Sequence, residues 1–270
     1  MPDAPQPLRI LAIGAHPDDC EIQFGGTAAK LASAGHAVKF LSVTNGDKGH
    51  ADLTGLDLAA IRAREADEAA RRLGIAASEV LHHPDGQLIP SIQARCEIVS
   101  QIRNWRADVV LTHRPYDYHP DHRYTAQLVQ DSAYLVMVPH FCPDVPALDA
   151  NPVYLFLEDR FQKPLPFSPD LAVDIDDVWE AKLDAFEAHA SQFFEWLPWI
   201  ERQDVPEDPA ERRQWLDQLW SRPICGNVRA ALARRYDPDP ARNIQHAEAF
   251  ELCEYGRRPA PAELDRMFPR

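Results

Sequence analysis

Residues 8–27 read LRILAIGAHPDDCEIQFGGT, and this stretch decides the fold. Residues 8–13 are an apolar run of strand length, the pattern of a strand buried on both faces. Gly14 and Ala15 allow a turn, and His16, Pro17, Asp18 and Asp19 follow at once. Gly25-Gly26-Thr27 then leads into AAKLASAG, a helical stretch that Gly35 stops. A buried strand feeding a helix is the unit of an α/β sheet, where ligands bind beyond the carboxyl ends of the strands. His16, Asp18 and Asp19 fall at that edge.

Their chemistry is more specific than their position. His16 and Asp19 are three residues apart, and an imidazole with a carboxylate is a usual first half of a zinc site. Asp18 and Asp19 are neighbours whose side chains are expected to diverge, one to ligate and one to face the water of the site. A second half follows the apolar run ADVVLT at 107–112: residues 113–122 read HRPYDYHPDH. His119 and His122 are again three apart, with Pro120 favouring a helix start between them, and positions three apart share a helix face. A catalytic zinc takes about three protein ligands and keeps one position open. His16, Asp19 and one histidine of the second motif satisfy that rule, and spacing leaves His119 and His122 as alternatives.

Outward from these motifs the same alternation repeats. Strands are expected at 37–43, 79–82, 107–112, 153–157 and 171–175, and helices at 58–73, 92–105, 124–138 and 178–189. The pattern predicts an α/β, Rossmann-like, doubly wound and mostly parallel sheet, with the metal site at the carboxyl ends of its strands. From 192 to 223 the composition shifts, and Trp196, Trp199, Trp215 and Trp220 cluster there. Anchoring of helices onto the core is the expectation for them, with a sugar-stacking wall or an oligomer contact as the alternatives.

With 270 residues the chain is long enough for one sizeable domain, expected to span 1–270. A formal charge of −14 argues against nucleic acid and anionic membrane surfaces as partners. No apolar run reaches membrane-spanning length, and MPDAPQPLRI has neither the charged nor the apolar region of a secretory leader. Five scattered cysteines without a CxxC suit reduced thiols, so a cytoplasmic protein is expected.

AHPDD followed by GG and later HPDH resembles the PIG-L/LmbE family of metal-dependent N-acetylglucosamine deacetylases. Further blocks are similar to that family: Arg62 and Glu65 on a helix, Asp85-Gly86 in a loop, Lys182, His189 and Ser191-Gln192, and the closing Glu248-Ala249-Phe250. The likeness thins between about 193 and 243. The resemblance implies His16, Asp19 and His122 as ligands of Zn2+, with another divalent ion such as Fe2+ accepted by the same set. It also implies Asp18 as general base, His119 stabilising the oxyanion with Asp121 holding that imidazole charged, and Arg62 and Asp85 meeting the substrate. The expected reaction removes an acetyl group from an N-acetylated amino-sugar conjugate, releasing acetate and a free amine, in an enzyme that assembles as a homo-oligomer.

Two other readings compete. Another metal-assisted amide or ester hydrolase fits the same site. A nucleotide-binding module fits poorly, because a proline without an N–H and two acids stand where a phosphate-binding glycine loop belongs.

Overall fold

A computed structural model of the protein describes residues 7–270. The leader reading of the first ten residues therefore lies mostly outside the described residues. The strands are β1 (Arg9–Gly14), β2 (Ala37–Thr44), β3 (Ala77–His83), β4 (Val109–Thr112), β5 (Val153–Leu157), β6 (Leu171–Asp174) and β7 (Ala247–Cys253). They form one sheet in the order β3-β2-β1-β4-β5-β7-β6. The pairs from β3 through β5 are parallel, whereas β7 runs antiparallel to both β5 and β6. The expected mostly parallel α/β sheet is what the chain forms. The antiparallel insertion of β7 is not legible in the sequence, where Glu248-Ala249-Phe250 stands only as a family-like block.

The helices beside the sheet are α1 (Asp19–Ser33), α2 (Gly55–Leu73), α3 (Ile92–Trp105), α4 (Pro120–Leu135) and α5 (Trp179–Ala188). Residues of β1 alternate between two cores. Ile10 and Ala12 pack with Phe24, Leu73 and Phe186 on one face, and Leu11 and Ile13 with Ile98, Val129 and Ala133 on the other. Strands covered on both faces by helices read as unbroken apolar runs, as β1 and β4 do. The chain order reverses between β1 and β4, which are neighbours. This is the switch point at which open α/β sheets bind ligands.

Helix α1 starts at Asp19, well before the expected AAKLASAG stretch, and carries Gly25 and Gly26 in its interior. Two glycines mid-helix weaken the local signal, and tertiary packing explains the second. A Cβ on Gly26 would lie 2.9 Å from Ile175. A carboxylate also reaches the helix there: Glu248 of β7 accepts from the N–H of Gly26 at 3.0 Å and of Thr27 at 2.7 Å. Lys182 of α5 completes the contact, with Nζ 2.5 Å from Glu248 Oε1 and 2.8 Å from the Ile22 carbonyl. The family-like Lys182 and Glu248 thus form one buried pair that joins α1, α5 and β7.

Breaking a buried ion pair at one partner strands the other charge. Lys182→Met is therefore expected to destabilise the protein by about 3–5 kcal/mol, read as a lowered denaturant midpoint at unchanged slope. A change below 1 kcal/mol would show the pair to be dispensable.

The Trp-rich segment divides. Trp220 packs on Phe186 and Phe193, and Trp215 lies against the same core. Trp196 and Trp199 stack on each other with centroids 5.4 Å apart, and Trp199 remains exposed. Helices α6 (Leu197–Glu201), α7 (Pro209–Trp220), α8 (Gly226–Tyr236), α9 (Pro238–Asn243) and α10 (Pro261–Met267) make up most of the remainder. No helix among the described residues is long and apolar enough to cross a membrane.

Candidate metal centre

The turn after β1 is built to hold Asp19 close to the strand. A Cβ on Gly14 would stand 2.8 Å from Asp19 Cβ, so only glycine permits this approach. Asp19 is the first residue of α1, and its Oδ2 accepts from the His16 N–H at 2.7 Å. Between them Asp18 is held at φ 138°, a region that costs a non-glycine residue about 1–3 kcal/mol. The strain turns the Asp18 and Asp19 side chains apart, as neighbouring acids with separate roles require.

The second motif arrives from β4. His113 follows the strand directly, and its Nε2 accepts from the Ala15 N–H at 3.0 Å, stitching the ends of β1 and β4 together. His119 caps α4, with Pro120 as the first helical residue, and His119 Nδ1 accepts from the Asp121 N–H at 3.2 Å. The helix start expected at Pro120 is where α4 begins. His122 lies one turn in and faces the first motif.

Three ligand groups meet there, Asp19 offering a different oxygen to each histidine. His16 Nδ1 is 3.2 Å from His122 Nε2 and 3.4 Å from Asp19 Oδ2, and His122 Nε2 is 3.4 Å from Asp19 Oδ1. Ligands about 2.0–2.1 Å from a tetrahedral ion lie roughly 3.3–3.4 Å from one another. The three side chains stand at those separations, with Asp19 Oδ2 toward His16 and Oδ1 toward His122. His119 also stands near, forming a possible cluster with His16 and His122, but its Nδ1 is engaged by the Asp121 amide.

Carboxylates outside the triangle orient it, as partners behind metal-binding histidines do. His16 Nε2 lies 3.1 Å from Asp85 Oδ1 and 3.5 Å from Asp121 Oδ2, which leaves Nδ1 free to ligate. Asp117 Oδ1 lies 3.1 Å from His122 Nδ1, off the line of an ideal hydrogen bond, and accepts from the His119 N–H at 2.8 Å. The site thus gathers Asp18, Asp19, Asp85, Asp117 and Asp121 around few cations. Burial alone would lower the His16 imidazole, yet Asp121, Asp19 and Asp85 together hold it well above its ordinary value. Burial would raise Asp19, but His122, His113 and His16 hold it well below. A cluster that pulls a proton onto His16 in this way is short of positive charge, and a divalent ion supplies it. The residues present fit a metal.

Asp18 is placed to do something else. Burial pushes its carboxyl up to about 6, against the pull of Arg62, whose Nη2 lies 3.1 Å from Asp18 Oδ2 and donates to the Pro17 carbonyl at 2.6 Å. Arg62, from α2, is itself buried, and it lines the cavity together with Asp85. Behind them Glu65 accepts from the Ser191 N–H and Oγ, and Gln192 Nε2 donates to the Gly49 carbonyl.

One expectation is corrected. Asp121 was to hold His119 as an imidazolium, but its carboxylate turns the other way. It accepts from the Gly86 N–H at 2.6 Å and from the Leu88 N–H at 3.3 Å, fixing the loop that carries Asp85. Burial, then the nearby His16 and His122, lower the His119 imidazole, while Asp121 and Asp85 oppose them. With Nδ1 accepting from the Asp121 amide, His119 has Nε2 left as the N–H donor.

This anchoring makes Asp121→Ala a test of the outer partners. It frees both His16 and the loop carrying Asp85, and metal affinity is expected to fall about 10–100-fold, measured by competition with a chelating dye. Unchanged affinity would show that Asp85 alone suffices.

These groups open into one cavity of about 760 Å³. Its walls include residues that sequence reasoning passed over: Tyr118, Glu158, Arg160 and Arg222. For Glu158 a signal existed, since it directly follows the carboxyl end of β5 as His113 follows β4.

Comparison with known proteins gives likenesses in sequence and in three dimensions. A family model described as PIG-L, GlcNAc-PI de-N-acetylase, matches residues 11–133, which hold both motifs. Diacetylchitobiose deacetylase of Thermococcus kodakarensis is 36% identical over 204 residues, covering 71% of this chain and 74% of that protein. The 4-oxalmesaconate hydratase of Pseudomonas putida is 26% identical over 196 residues, covering 69% and 74%. In three dimensions, N,N'-diacetylchitobiose deacetylase from Pyrococcus horikoshii superposes with a TM-score of 0.69 at 26% identity, over 91% of this chain and 84% of that one.

Proposed function

The chain belongs to the PIG-L family of de-N-acetylases, and from that membership we propose that it is a zinc-dependent enzyme that removes acetate from an N-acetylated, glucosamine-type sugar conjugate. The observation that carries the proposal is the triangle of His16, Asp19 and His122, with a strained, unliganded Asp18 beside it. Two imidazoles and one carboxylate are a usual catalytic donor set for zinc. Five free thiols among the described residues support a cytoplasmic, reducing setting.

His16, Asp19 and His122 would hold the ion, which supplies a Lewis acid that polarises the acetamide carbonyl and acidifies water. Asp18 takes the proton of the attacking water. Arg62 fixes the direction of that carboxylate by holding Asp18 Oδ2 and the Pro17 carbonyl at once. His119, held through Nδ1, donates from Nε2 to the oxygen that gains negative charge, a contact typically worth about 2.7–4 kcal/mol of barrier. Asp18 then returns its proton to the departing amine. Arg62 and Asp85, on the cavity wall, supply groups for sugar hydroxyls.

Acetate release from N-acetylglucosamine and diacetylchitobiose, before and after chelation, tests the proposal. Release that chelation abolishes and zinc restores is expected. Bound metal without acetate from either sugar, together with hydration of an unsaturated dicarboxylate, would move the chain to the chemistry named for its Pseudomonas putida relative.

A further inference from the structure

Five cationic side chains line the cavity: Lys48, Arg62, Arg160, Lys182 and Arg222. Three are matched, Lys48 with Asp47 at 2.8 Å, Arg62 with Asp18 at 3.1 Å and Lys182 with Glu248 at 2.5 Å. Arg160 and Arg222 are not. Among the described residues neither forms an ion pair. Arg160 Nη2 reaches only the Pro223 carbonyl at 3.5 Å, and the Arg222 guanidinium lies over the Trp220 ring, 4.8 Å from its centroid.

Their placement runs against the composition of the chain. With 42 acids to 28 bases, carboxylates are plentiful, yet two guanidiniums are left together on one wall. They are close enough to feel each other: burial, then the charge of Arg160, lower the Arg222 pKa. Like charges brought together in a partly dry cleft are unfavourable until an anion bridges them, and paired guanidiniums match the oxygens of phosphate or carboxylate. Glu158 also faces this wall, but it makes no ion pair with Arg160, and burial pushes its carboxyl up to about 7.

The two arginines come from separate parts of the fold. Arg160 follows β5, and Arg222 follows α7 in the segment where the family likeness thins. Trp220, packed on Phe186 and Phe193, gives Arg222 a rigid floor.

We infer that Arg160 and Arg222 form an anion subsite of the catalytic cavity, gripping a phosphoryl or carboxylate group that the amino-sugar substrate carries away from its acetamide. The inference rests on the deacetylase reading for the identity of the sugar, but not for the charge of the group.

The test compares four substrates on the zinc-loaded enzyme: N-acetylglucosamine, its 1-phosphate, its 6-phosphate, and the 3-O-lactyl ether that carries a carboxylate. At least one anionic sugar is expected to exceed the neutral one in kcat/KM by about tenfold or more, through KM, because a charge-assisted contact is worth about 1.5–3 kcal/mol. Which sugar wins identifies the source of the charge. In Arg160→Gln and Arg222→Gln the ratio of anionic to neutral kcat/KM should fall towards one. Calorimetry of glucosamine, its two phosphates and its lactyl ether separates the two possible failures. No acetate from any sugar, with an anionic amine still bound more tightly than glucosamine in an arginine-dependent way, would sink the deacetylase reading and keep the subsite. Acetate released with no preference for any anionic sugar, or a preference that survives both substitutions, would overturn the subsite.

Discussion

Replacing Asp18 by Asn is expected to leave about one divalent ion per chain and to lower kcat for acetate release by about 10²–10⁴-fold, the usual contribution of a positioned general base. Asp18 is not a corner of the ligand triangle, and asparagine keeps its size and its place beside Arg62. Metal content and kcat should therefore separate: the first is retained and the second lost. Metal analysis of the purified variant, alongside single-turnover acetate release, reads both. Near-full activity would remove Asp18 as the base and turn attention to His119, the other unliganded group at the reacting atoms.

The second expected result is the opposite pairing. His122→Ala takes away one corner of a triangle whose edges are 3.2–3.4 Å, and the two ligands that remain come from a single turn. Zinc content and acetate release should both fall to background. The gain in thermal midpoint on adding zinc should vanish too, because an ion that no longer binds the folded state cannot stabilise it. Asp117 would lose its imidazole partner but keep its bond to the His119 amide, and His119 Nδ1 still caps α4, so folding is expected to survive. A variant that still binds zinc tightly would point to His119 as the replacement ligand, since it stands in the same cluster.

The ligand motifs were legible in the sequence because their chemistry is local. HPDD and HPDH each follow an apolar strand, and three-residue spacing constrains which side chains share a face. The parallel half of the sheet was legible for the same reason, and α3 and β5 fall at their expected bounds. What could not be read depends on residues far apart in the chain. The start of α1 is obscured by Gly25 and Gly26, and the reason for Gly26 is Ile175, more than a hundred residues away. Asp121 was paired with His119 because the two are neighbours, whereas its true partners belong to the loop at 86–88. Arg62 reads as a surface helix residue until β1 and α2 are brought together and its guanidinium is found buried against Asp18.

The contact of Glu248 with α1 also bears on the order in which the protein takes shape during synthesis. The helix that begins with Asp19 leaves the ribosome well before β7, which carries the side chain that bonds its middle. A nascent chain through residue 135 would hold both metal motifs yet lack the carboxylate that joins α1 to the far side of the sheet. Early binding of the ion is therefore expected to be weak and reversible, and tight retention to begin only as β7 slots between β5 and β6.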